Sequence, residues 1–331
     1  MTRYSFPRVG FRLPSMLSVV GCWLSATLRF CFSSRFRPGE KWQTTDNRQP
    51  TTSLVRLLLA LIVALPLFAQ TTAPRRLPVG ETLLSLPSPH IPTQGLWEVK
   101  FTHRFNQSLS DGSFSDQWHS LFGLDTNADV TFGVSYALRP NLLFSLARTN
   151  TNDTVEIASK YVLMQQSENR PLTLALRGGV DYRTERNLED RNSFFAQAIL
   201  ARRLGEKVEV YALPTFVTEA GRAVTGDSSG AMFEHAFNVP LGIVYSLRGP
   251  LMLVAEVIPP NGDVPDEVDA DFGWSLGIKR AIGGHWFEIL LTNNQSTTAD
   301  QYVTSTFQGT GLDAGDIKLG FNIERRFGRR K

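Results

Sequence analysis

The chain has 331 residues, 42% of them hydrophobic, and a formal net charge of +3. That charge is uneven: residues 1–69 hold nine Lys/Arg against Glu40 and Asp46, leaving 25 basic and 29 acidic residues on the rest. A mildly acidic body excludes a general nucleic-acid binder. With both cysteines, Cys22 and Cys31, in the leader, it also excludes thiol metal sites and thiol nucleophiles from the body.

Residues 1–53 are rich in Arg, Ser, Phe and Pro without a clear period and read as an unstructured leader. Val19-Val20-Gly21-Cys22 loosely matches a lipidation box, but the apolar stretch before it is short. Arg56 precedes an apolar run from Leu57 to Ala69. The run falls short of the roughly 20 residues that span a bilayer and ends in a small residue before Gln70-Thr71-Thr72. Residues 54–69 therefore read as a secretory signal peptide cleaved after Ala69. Because a complete signal starts there, the expected translation start lies near Leu54 or Val55, with 1–53 a mis-assigned extension. A cysteine-free mature chain suits an oxidising periplasm.

Residues 70–93 end in Leu86-Pro87-Ser88-Pro89-His90-Ile91-Pro92. Proline fixes φ and removes donors, so this stretch reads as an extended periplasmic linker, with ordered structure starting near Gln94.

From residue 94 to 327 the pattern is alternation over about ten residues, broken by turn residues. Trp97, Val99, Phe101, His103 and Phe105 share one face; Glu98, Lys100, Thr102 and Arg104 share the other. Phe272, Trp274, Leu276 and Ile278 alternate with Gly273, Ser275 and Lys279. Similar rows occur near 130–138, 142–147, 172–183, 237–247 and 317–324. Weaker ones occur near 154–164, 193–203, 207–216, 250–258 and 284–292. About twelve strands result, an even number, as in bacterial membrane barrels.

Alternation also fits a soluble β-sandwich. Three features favour lipid. The strands are about ten residues long, against five or six in soluble sheets. Full charges sit on the polar faces, as a wet lumen allows. Connections alternate in length: Arg139-Pro140-Asn141, Leu204-Gly205-Glu206, Arg248-Gly249 and Gly283-Gly284 are tight, whereas 106–127, 217–234, 259–270 and 293–314 are long. The fold class is thus all-β, an antiparallel up-and-down transmembrane β-barrel in a bacterial outer membrane, with both termini on the short-turn, periplasmic side. Trp97, Phe105, Tyr136, Tyr182, Trp274, Trp286 and Phe327 lie near strand ends, where aromatic rings suit the membrane interface. Phe327 closes the last strand like the C-terminal signal read by the barrel assembly machinery, although the basic tail 328–331 follows it.

Val99-Lys100-Phe101-Thr102-His103-Arg104-Phe105, Leu121-Phe122-Gly123-Leu124-Asp125, Val134-Ser135-Tyr136-Ala137-Leu138-Arg139 and the run Gly284 to Gln295 together resemble the bacterial barrel family catalogued as domain of unknown function 5777. The resemblance covers about 94–327. It implies an outer-membrane barrel and assigns no reaction.

Chemistry-bearing constellations are sparse. His90, His103, His119, His235 and His285 form no metal-ligand spacing. Trp118-His119-Ser120 lies in a long loop, and no Gly-x-Ser-x-Gly elbow exists. The chain is expected to be no enzyme and to use no cofactor or metal. Asp263, Asp266, Glu267, Asp269 and Asp271 crowd the 259–271 loop without EF-hand spacing; a solvated acidic loop and a Ca²⁺ site both stay open. Asp111, Asp116, Asp125, Glu219, Asp227, Asp300 and Asp313 also fall on long loops; an acidic mouth that concentrates cations and loops merely solubilised by their acids both stay open.

The inward positions mix signs. Glu98, Lys100, Arg104, Arg177, Asp181, Arg183, Lys279, Lys318 and Glu324 are the expected lumen-lining residues, with Glu156, Lys160, Glu209 and Glu256 also inward. Two readings follow: a narrow passive channel for small solutes, or a closed structural or docking barrel whose ion pairs interlock. An outer-membrane hydrolase is the third class. The expected partners are membrane lipids, the assembly machinery and small solutes.

Overall fold

The computed structural model describes residues 77–110, 112–125, 127–184, 192–220, 233–259, 272–304 and 316–328. The leader 1–53, the signal peptide 54–69, residues 70–76, both cysteines, the acidic cluster from Asp263 to Asp271 and residues 329–331 lie outside the described residues.

The alternating rows become a ring of antiparallel strands: β1 (Trp97–Ser108), β2 (Ala128–Arg139), β3 (Leu142–Thr149), β4 (Thr154–Met164), β5 (Thr173–Arg183), β6 (Asn192–Leu204), β7 (Val208–Ala212), β8 (Thr215–Ala220), β9 (Phe233–Asn238), β10 (Leu241–Arg248), β11 (Leu251–Ile258), β12 (Gly273–Ile282), β13 (His285–Thr292) and β14 (Lys318–Phe327). β7 and β8 form one stave divided at Leu213-Pro214, and β9 and β10 form the next, divided at Val239-Pro240. The two breaks lie side by side. Proline has no donor for the ladder, but its carbonyl still serves: Ala198 N–H donates to Pro214 O at 2.9 Å, and Leu213 N–H donates to Pro240 O at 2.9 Å. Fourteen segments thus make the twelve staves of a closed up-and-down barrel. The seam joins β1 to β14, with Trp97 opposite Phe327. Ten residues at about 3.3 Å each, tilted by about 40°, span about 25 Å, the height of a membrane barrel's apolar band.

The tight turns at 140–141, 205–207, 249–250 and 283–284 share one end of the barrel with Trp97 and Phe327. Gly283 and Gly284, at φ +56° and +85°, permit the two-residue reversal between β12 and β13. The long connections lie at the other end, along with one short one, Thr151–Asp153. Outward rows such as Phe132, Phe144, Ile157, Leu176 and Phe194 are exposed, and Ile289 reaches 67%. Apolar exposure repeated around the ring is a lipid-facing belt.

The barrel interior departs from the expectation of a linker over 70–93. Residues 77–92 lie inside it: Val79, Leu83, Leu84, Leu86 and Ser88 are 0% exposed. Proline keeps the segment out of the sheet, as expected, but does not keep it outside the barrel. The chain reverses on itself, with Leu83 N–H donating to Leu86 O and Ser88 N–H to Glu81 O, both at 2.8 Å. From the other end, residues 293–304 also fold inward and carry a short helix (Ala299–Thr304); Asn293, Thr298, Asp300, Tyr302 and Val303 are buried. The hairpin leucines, Tyr302 and Val303 share one apolar core with Ile199, Tyr211, Leu213, Val244, Met252 and Val254 of the wall.

Candidate functional site: the filled lumen

The interior wall has two characters. The inward positions of β6 to β11 are largely apolar, with Phe195, Ile199, Ala201, Tyr211, Val244, Met252, Val254 and Ile258 buried there. The inward positions of β12 to β14 and β1 to β5 are mostly small or polar, with charges on β1, β4, β5, β12, β13 and β14. The hairpin lies between the two halves. Gly242 and Gly277 make room for its leucines: a Cβ on Gly242 would sit 2.4 Å from Leu83 Cδ1, and one on Gly277 would sit 2.9 Å from Leu84 Cδ2.

A turn buried in a lumen must satisfy its backbone groups without a sheet partner. The wall supplies the partners. The Glu256 carboxylate accepts from the backbone N–H groups of Leu84 at 2.8 Å, Ser85 at 3.0 Å and Leu86 at 3.0 Å. Lys279 Nζ donates to the carbonyls of Thr82 at 2.7 Å and Leu83 at 3.1 Å. Lys160 Nζ donates to Ser88 O at 2.8 Å, Asn322 Nδ2 to Leu84 O at 2.8 Å, and Trp286 Nε1 to Pro78 O at 2.7 Å. Because these contacts read mainly backbone, they fix the shape of the turn more than its sequence.

The nine expected lumen-lining residues fall into three groups. Around the hairpin sit Lys100, Arg104, Lys279, Glu324 and Glu98. Lys100 Nζ donates to Thr82 Oγ1 at 2.6 Å and lies 3.8 Å from Glu324. Glu324 accepts from Thr82 Oγ1 at 2.7 Å. Lys279 pairs with Glu288 and lies 3.6 Å from Glu324. Arg104 donates to Asn322 Oδ1 at 2.7 Å and Ser85 Oγ at 3.3 Å. Glu98 pairs with Arg326, whose guanidinium covers the Trp286 ring at 4.2 Å.

The second group, Arg177, Asp181 and Arg183, meets the inserted long loop. Arg177 pairs with Glu156, and the other Glu156 oxygen accepts Ala299 N–H at 3.2 Å. Arg183 pairs with Asp300 at 2.8 Å, and Asp181 accepts Asp300 N–H at 3.1 Å. Gln197 Nε2 donates to Tyr302 Oη at 2.6 Å. Lys318 stands apart near the long-loop end, 3.0 Å from Asp316.

Two expectations change. Asp300, counted toward an acidic mouth, is buried against Arg183, so it is a structural anion and not a rim charge. Asp116 and Asp125 remain exposed, and Asp111, Asp227 and Asp313 lie outside the described residues. Trp286, expected at the membrane interface, faces the lumen and holds the hairpin. Its strand parity, shared with Glu288 and Leu290, carries that information. Glu288, inward by the same parity, and Tyr302, brought in by the inserted loop, are buried in the lumen without a signal of their own in the sequence.

The hairpin does not fill the side of the lumen opposite its leucines. A cavity of about 90 Å³ remains beside β1 to β4, lined by Glu81, Glu98, Lys100, Glu156, Arg177 and Tyr302 among others. Among the described residues, no group of three or more His, Cys, Asp or Glu is placed to hold a metal ion. Ser120 Oγ accepts from Gln107 Nε2 at 2.8 Å and donates to Gln117 O at 3.1 Å, so its bonds cap a loop helix.

The model of the membrane-bound β-barrel domain family, DUF5777, matches residues 80–327, and the chain belongs to that family. The match begins within the lumenal hairpin. A search of curated proteins finds no match. Among solved structures, the NanC porin is 9% identical at a TM-score of 0.44, covering 70% of this chain and 100% of its own. The COG4313 outer-membrane channel of Pseudomonas putida F1 is 10% identical at 0.43, covering 72% and 97%. Outer-membrane phospholipase A of Escherichia coli is 13% identical at 0.37, covering 71% and 93%. At such identities and TM-scores these likenesses carry no argument about activity.

Proposed function

We propose that this DUF5777 barrel is an outer-membrane conduit for small solutes, closed in the present conformation by two inserts, the 77–92 hairpin and the 293–304 loop. The observation that carries the reading is the asymmetry of the filling. The hairpin adds no strand to the wall and seats its leucines on the apolar half, while a cavity with Glu98, Lys100, Glu156 and Arg177 in its lining remains beside β1 to β4. Buried charges are costly unless they meet partners, and a barrel meant only to be solid has no need of so many. Orientation follows the rule for membrane barrels: short turns, and with them both ends of the strand ring, face the periplasm. Phe327, paired with Trp97 at the seam, is then the natural contact for the assembly machinery.

A second reading, a permanently closed structural barrel, has the filling from both ends in its favour. Planar-bilayer conductance separates the two. The full chain is expected to be silent or nearly so, and a 77–92 deletion is expected to conduct. A deletion that folds to a heat-modifiable barrel and passes no current overturns the conduit. We assign no catalytic role. Turnover on phospholipid or ester panels, lost in Ser120→Ala, would reverse that assignment.

A further inference from the structure

The connection between β1 and β2 carries an apolar surface that neither the barrel wall nor the lumen uses. It folds as a short helix, α1 (Phe114–His119), followed by a 3₁₀ turn at Leu121–Gly123. Ser113 caps α1, and Asp116 returns the bond through Ser113 N–H at 2.7 Å, which fixes the start of the helix. Leu121 and Phe122 then adopt φ +49° and +57°. Two successive bulky residues in the left-handed region are strained. The strain brings the Phe122 ring back over the helix, edge-on to Phe114 at 5.9 Å and to Trp118 at 6.1 Å. Phe114, Trp118, Leu121 and Leu124 are nonetheless 51–76% exposed. Together these side chains present on the order of 500 Å² of apolar surface, as large as the largest patch on a typical soluble monomer.

The segment is tied to the barrel rim. Gln117 Nε2 donates to Ser108 O at 2.9 Å, and Gln107 Nε2 donates to Ser120 Oγ at 2.8 Å. The tie holds the patch at the long-loop end of β1. On the outer face of β1 the row Phe101, His103 and Phe105, with Phe321 of β14 beside it, leads up to that tie. A weakly charged aromatic cluster held at the end of that row suits the boundary between headgroups and acyl chains.

We infer that residues 114–124 form a lipid-interface anchor, seated in the headgroup–acyl boundary at the long-loop face and extending the barrel's lipid contact beyond its strands. The occupant is the lipid surface itself, because the patch is tied at the rim two residues beyond Phe105, where the outward aromatic row of β1 ends.

The test is site-directed spin labelling of the full chain in a C22S/C31S background, where an introduced cysteine is unique. Labels at Trp118→Cys, Phe132→Cys and Arg139→Cys are reconstituted in phosphatidylcholine/phosphatidylglycerol vesicles. The 132 label reports the lipid belt, and the 139 label reports an exposed turn. The 118 label is expected to favour oxygen over a nickel chelate, as the 132 label does. A 118 label as open to the chelate as the 139 label overturns the anchor. Spin–spin broadening at 118 overturns it in favour of a second copy of the chain. Since the 118 substitution alters the patch, native protein and the conservative Trp118→Phe are compared in brominated lipid. At least a tenth of the quenching is expected to vanish in the variant, and equal quenching overturns the proposal.

Discussion

Glu256→Gln tests whether the hairpin is held by the wall or merely trapped. The native carboxylate is buried and accepts three backbone N–H groups of the turn. Hydrogen bonds to a charged group contribute about 1.5–3 kcal/mol each, and bonds sharing one acceptor group are not additive. Glutamine keeps one oxygen and turns an NH₂ toward the same donors. Losing the charge and one acceptor position is expected to cost about 2–3 kcal/mol of docking free energy. At 1.4 kcal/mol per factor of ten, the undocked population rises about 30- to 140-fold. The assay is thiol labelling of Ser85→Cys, a near-isosteric change at a buried turn position, in the C22S/C31S background. Where re-docking outpaces labelling, the rate follows the undocked fraction. A rise of about 30-fold or more, with heat-modifiability unchanged, is expected. A rise under about threefold refutes the account, because the turn would then be held by its leucines and by enclosure.

Gly242→Val places side-chain atoms where Leu83 packs; it is expected to loosen the hairpin and raise bilayer conductance while the barrel still folds. Gly277→Ala meets the backbone instead, 2.8 Å from Ile289 O, and should lower the temperature at which the folded band is lost on mild-detergent gels. Asp300→Asn removes the anion of a buried pair, a change that typically costs 3–5 kcal/mol, and proteolytic nicking of the 293–317 connection should accelerate by at least tenfold. The Ser113 bonds hold the Asp116 carboxyl below its usual range. Its stabilisation of α1 is therefore present above the unfolded value of about 3.9 and is lost as pH falls through the lower folded value. A Trp118-dependent fluorescence change below about pH 4 is expected, and Asp116→Asn should abolish it.

The wall was legible in the sequence because it depends on a local rule. Each strand alternates between lipid and interior, and tight turns alternate with long loops, so strand count and ring order follow from parity and spacing alone. The inward charges on β1, β5, β12 and β14 were readable for the same reason. The break at Pro214 interrupts that rule, which is why the 207–216 row is weak, whereas the row 237–247 keeps its alternation across Pro240.

What fills the barrel was decided only by closure. Residues 77–92 have no period and no ladder donors at their prolines, so nothing local distinguishes a linker from a plug. Their place is set by Glu256, Lys279, Lys160, Asn322 and Trp286, which come from five strands and meet only once the ring is shut. The same holds for Asp300, a loop acid by its neighbours in sequence and the partner of Arg183 in space. A β-strand tells each side chain which face it takes; which groups it meets across the lumen depends on the whole circumference.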